Sequence, residues 1–64
     1  MRTKKQKQAS RKNFALCRVI GMRTNLKQMY NQNEKINNLI RLISYNLTIL
    51  SNMIYDSKIE DWDE

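Results

Sequence analysis

Residues 15–54 read ALCRVIGMRTNLKQMYNQNEKINNLIRLISYNLTILSNMI, and an apolar residue recurs through them in alternating steps of four and three. The positions are Ala15, Val19, Met22, Leu26, Met29, Asn33, Ile36, Ile40, Ile43, Leu47, Leu50 and Ile54, of which Asn33 is polar. A 4-3 spacing held this long is the seam by which one helix packs against another. The chain has no proline, one glycine and no period-two run of β-branched residues, so strands and tight hairpins have little support. The fold class is all-α.

Two architectures satisfy the repeat. If one helix continues through Asn33, that residue is the polar core position that fixes register in a parallel coiled coil. If instead the chain turns in the polar stretch Tyr30 to Lys35, the two halves form an antiparallel hairpin, and Asn31 with Glu34 three residues on resembles a capping box. Charge favours the hairpin, because parallel pairing stacks two basic halves and sets Arg18 against Arg23, whereas a hairpin brings an acidic tail beside a basic helix. Leu39, Leu42, Ile49 and Met53, with Asn46 between, also form a second stripe that a two-stranded coil would leave wet. The expectation is a two-helix antiparallel hairpin, turning near residues 31–34, that assembles into a dimeric four-helix bundle. The alternative is one long coiled-coil helix, and the lack of Gly or Pro at the turn is the main fact in its favour. The candidate oligomer interface is Leu26, Met29, Asn33, Ile36, Leu39, Ile40, Leu42, Ile43, Leu47, Ile49, Leu50, Met53 and Ile54.

At 64 residues the chain holds one domain and buries too little apolar surface for a lone helix pair to be more than marginally stable, so self-association or a partner is expected. The single Cys17 has no disulfide partner, and without histidine there is no metal-ligand set and no expected cofactor. General acid–base and nucleophilic catalysis find little support: the acids cluster near the end of the chain and Cys17 lacks a base at any suggestive spacing, so a non-enzymatic protein is expected. No stretch is long and apolar enough to span a bilayer, since Arg18 cuts Phe14 to Met22 and Arg41 cuts Ile36 to Ile54. A cytoplasmic protein without a membrane partner is expected, which makes the sequon Asn46-Leu47-Thr48 accidental.

Charge is divided along the chain more sharply than the net +6 implies. Met1 to Lys27 carries nine Lys or Arg and no acid, and Asp56 to Glu64 carries five acids against Lys58. Such asymmetry points to a front end for a polyanion and an acidic tail. Residues 1–9 (MRTKKQKQA) have no periodicity and read as a disordered basic arm; residues 10–57 form the helical domain, with Ser10 as its first cap; residues 58–64 form the acidic tail, where Ile59 and Trp62 are two apolar anchors.

Continued in 4-3 register, a second stripe on the first helix holds Arg11, Phe14, Arg18, Gly21, Asn25 and Gln28. Guanidinium groups grip phosphates, Asn and Gln hydrogen-bond base edges or sugars, and Phe stacks on bases. The candidate nucleic-acid-binding residues are Lys4, Lys5, Lys7, Arg11, Lys12, Phe14, Arg18, Arg23, Asn25 and Lys27. The bland reading of the same residues is a solvated face. In layout the chain resembles the Rop-type plasmid regulators, small antiparallel helical hairpins that dimerise and hold RNA stem-loops on their first helices; Phe14, Arg18 and Asn25 lie on the corresponding helix face. The sequence thus suggests a small nucleic-acid-binding helical oligomer, a regulator of a plasmid, phage or other mobile element, with RNA or DNA left open. A coiled-coil subunit, inhibitor or adaptor that docks on a helical protein partner is the alternative.

Overall fold

The structure, a computed structural model, describes residues 3–62. The parts of the arm and tail at residues 1, 2, 63 and 64 lie outside them. Helix α1 (Lys4–Lys27) and helix α2 (Glu34–Asp56) pack side by side as a hairpin, and a 3-10 turn over Ile59–Trp62 folds back on α1. The hairpin is a ribbon 51 Å long and 19 Å by 15 Å across.

α1 starts six residues earlier than Ser10. Thr3 is its N-cap: the Thr3 hydroxyl accepts from the Gln6 backbone N–H at 3.2 Å, and the Gln6 side chain accepts from the Thr3 N–H at 2.9 Å, which closes a capping box. The lysines read as a structureless arm therefore form the first turn of the helix. They do so against the helix dipole, because that turn holds no acid.

The chain turns at residues 28–33 without glycine, and no described residue has a positive φ. Three asparagines replace the missing glycine. Asn37, buried on α2, accepts from the Asn31 N–H at 3.0 Å and donates to the Asn31 carbonyl at 2.6 Å. Asn31 in turn accepts from the Asn33 N–H and donates to the Met29 carbonyl. Asn33, not Asn31, caps α2 by accepting from the Lys35 and Ile36 N–H groups. Asn33 is accordingly an exposed cap and not a seam residue, and the straight coil gives way to the hairpin.

The contact between the helices uses every second position of the seam. Val19 and Ile40 are only 3% exposed and Ile54 is buried, with Leu26 and Leu47 half-buried in the same heptad positions. The alternate seam residues Met22, Met29, Ile36, Ile43 and Leu50 stay exposed along one edge. On the other side of the α2 contact stand Ser44, Thr48 and Ser51, half-buried, with the Thr48 and Ser51 hydroxyls donating back to helix carbonyls. α1 thus packs on the small polar edge of α2, off the centre of its apolar arc. Of the thirteen expected interface positions, Leu26, Ile40, Leu47 and Ile54 are used inside one hairpin, while Leu39 (59% exposed), Leu42, Ile49 and Met53 (65% exposed) remain uncovered.

Candidate nucleic-acid interface

Because α1 begins at Lys4, the stripe through Arg11, Phe14, Arg18 and Asn25 gains two turns at its front. Steps of three and four carry it back from Arg11 to Lys7 and Lys4. One side of α1 therefore presents Lys4, Lys7, Arg11, Phe14, Arg18 and Asn25, all exposed. Phe14 is 59% exposed and the Arg18 guanidinium lies over its ring, 4.7 Å from the centroid. The pair forms a small aromatic and cationic platform in which the ring orients the guanidinium.

The other candidates stand elsewhere. Lys12 is half-buried and its ammonium donates to the Ser57 carbonyl at 2.7 Å, where α2 ends. That places a cation on the unsatisfied carbonyl end of α2, whose last turn has no basic residue of its own. Lys12 is therefore a structural clamp. Arg23, also half-buried, and Lys5 share the Lys12 side of the helix by position, at the margin of the α2 contact. Lys27 sits in the last turn of α1, where its charge complements the dipole.

The tail, in which Ile59 and Trp62 are the apolar anchors, folds back, and Trp62 bonds the end of α2 and Arg11 of α1. The Trp62 indole N–H donates to the Ser57 hydroxyl at 2.8 Å, and the Trp62 carbonyl accepts from Arg11 at 3.2 Å. Asp61 accepts from the Lys58 N–H and closes the 3-10 turn. A groove of about 380 Å³ runs beside this turn, bordered by Arg11, Phe14, Arg18 and Met22 of α1, Leu50 and Ile54 of α2, and Trp62. It joins the basic side of α1 to the open side of α2, so cationic and apolar surfaces share one broad face. Gly21 lies at the margin of that face, and a Cβ added there would meet nothing within 4 Å.

Among the described residues no group of three His, Cys, Asp or Glu is placed to hold a metal ion, and Cys17 is exposed and unpaired by any disulfide. No helix formed by the described residues is long and apolar enough to cross a membrane. Compared with protein families, with curated proteins and with solved structures, the chain matches none.

Proposed function

We propose that this protein is a small, non-enzymatic, helical oligomer that binds nucleic acid through α1, with two hairpins assembled into a four-helix unit. The observation that carries the reading is the charge of α1: eight Lys or Arg and no acid over Lys4–Lys27, with Lys4, Lys7, Arg11 and Arg18 on one exposed side beside Phe14 and Asn25. A purely structural surface gains little from charges all of one sign, which repel along the helix and oppose the dipole at its start. A polyanion relieves both costs.

Phosphates along the stripe would be gripped by the two guanidiniums and two ammoniums, while Asn25 and the Phe14 platform supply hydrogen bonding and stacking. With Lys12 bonded to the Ser57 carbonyl, a stripe that meets about four phosphates gives a slope of log K against log salt of about −4 on duplex DNA. The test is anisotropy of labelled duplex DNA, single-stranded RNA and an RNA stem-loop, titrated at low and near-physiological salt. The double substitution Lys7→Glu and Arg18→Glu should weaken binding of the preferred substrate at least tenfold and leave helicity and oligomer size unchanged. Equal binding by the variant sinks the stripe as the contact surface.

A second reading rests on the uncovered α2 face. In it the chain is an adaptor or inhibitor whose Leu39 to Met53 surface packs on a helix of another protein. A chain that stays monomeric and shows no salt-resistant nucleic-acid binding would favour this reading over the first.

A further inference from the structure

We propose that a second copy of this chain seats on the open face of α2, with α2 antiparallel to α2 and the two Asn46 side chains meeting at the two-fold axis, so that the basic helices lie outermost. The inference rests on the oligomeric part of the functional reading and is independent of what α1 binds. In steps of three and four the open face runs Ile36, Leu39, Ile43, Asn46, Leu50 and Met53, all exposed. α1 leaves this seam open and flanks it only at Leu50, which borders the groove beside Arg11, Phe14 and Arg18. Leu42 and Ile49 widen the seam on the far side, which is the profile of a helix meant for a second neighbour.

Charge selects the occupant. α2 carries Glu34, Lys35, Arg41 and Asp56 and so is neutral, whereas α1 carries eight cations. Copies that meet through α2 bring no net charge together at that helix contact. Copies that meet through α1 stack like charge on like.

Symmetry selects the direction. Asn46 stands one residue past the midpoint of Glu34–Asp56, and it is the polar member of the seam. Centred there, an antiparallel pair sets Leu39 against the other copy's Met53 and Ile43 against its Ile49. The same register sets Lys35 beside the other copy's Asp56; both are exposed, and neither is ion-paired within the described hairpin. A parallel pair would align Lys35 with Lys35 and Asp56 with Asp56. The facing Asn46 amides satisfy one another in an otherwise apolar seam, which fixes register as a single buried asparagine does in coiled coils.

Cross-linking separates the arrangements. In a Cys17→Ser background, Leu39→Cys and Met53→Cys proteins are mixed and oxidised in redox buffer. The antiparallel dimer gives mainly the 39-to-53 heterodimer and little product from Leu39→Cys alone. A dominant 39-to-39 product overturns the direction. Sedimentation of the unsubstituted chain at the monomer mass of 7.7 kDa overturns the second copy altogether, and the nucleic-acid titration then stands or falls separately. Should the cysteine variants fold poorly, charge reversal reads the same contact: Lys35→Glu weakens dimerisation by roughly fivefold and Lys35→Glu with Asp56→Lys restores it. Equal dimerisation by all three proteins removes the proposed register.

Discussion

α1 and α2 are almost equal in length, 24 and 23 residues, and they solve opposite problems. α2 has more apolar surface than one neighbour can cover. α1 has so little that Val19 is its one buried apolar side chain, and Leu16 and Leu26 are half-buried beside it. α2 therefore supplies the platform and the surplus, while α1 is held on one edge of it with its charge turned outward. The difference divides the chain by chemistry: apolar surplus lies on one helix and positive charge on the other.

The largest effect should come from breaking the platform at its covered edge. Ile40→Ala removes a side chain that is 3% exposed and is expected to cost about 2–4 kcal/mol, a large share of what a domain of this size has. Leu39→Ala, one position away and 59% exposed in the hairpin, should instead act on association. Thermal melts at several protein concentrations separate the two: the first lowers the midpoint at every concentration, the second mainly flattens its rise with concentration. Identical behaviour would mean that covered and open edges are not distinct.

Lys12 sharpens the comparison at the other helix. It belongs to the basic run in sequence but to the end of α2 in space. Lys12→Met keeps most of the stem packing and loses the bond to the Ser57 carbonyl, so unfolding should become easier by about 1 kcal/mol. Its effect on the salt dependence of nucleic-acid binding should be small beside that of Arg18→Met. A Lys12 variant with unchanged stability and a shallower salt slope would return that residue to the binding stripe.

The parts legible in the sequence were those written in local periodicity. The seam positions gave two helices and the central polar stretch gave the turn. The spacing of Asn31 and Glu34 put the cap of α2 at Asn31, and the cap is Asn33, because the buried Asn37 bonds Asn31 on both sides of its backbone. Thr3 with Gln6 was a readable capping box that the surrounding lysines obscured. The tail was less accessible still. Its bonds join Arg11 to Trp62 and Lys12 to Ser57, pairs 51 and 45 residues apart, which only the closed hairpin brings together. The stripe on α1 followed from spacing, but its extension to Lys7 and Lys4 required knowing where the helix starts.

Gly21 offers the smallest test, and it bears on the outward side of α1. A glycine inside a helix costs backbone entropy, and here no neighbour within the hairpin requires it, since an added Cβ meets only open space. Gly21→Ala should therefore raise stability by about 0.5–1 kcal/mol in denaturant titration. If nucleic acid lies only on the long side chains of the stripe, affinity will not change. If a ligand backbone approaches α1 closely between Arg18 and Asn25, the new methyl will weaken binding while the protein itself grows more stable. Stability and affinity moving in opposite directions would locate the contact at that turn of α1, because loss of fold could not be the cause.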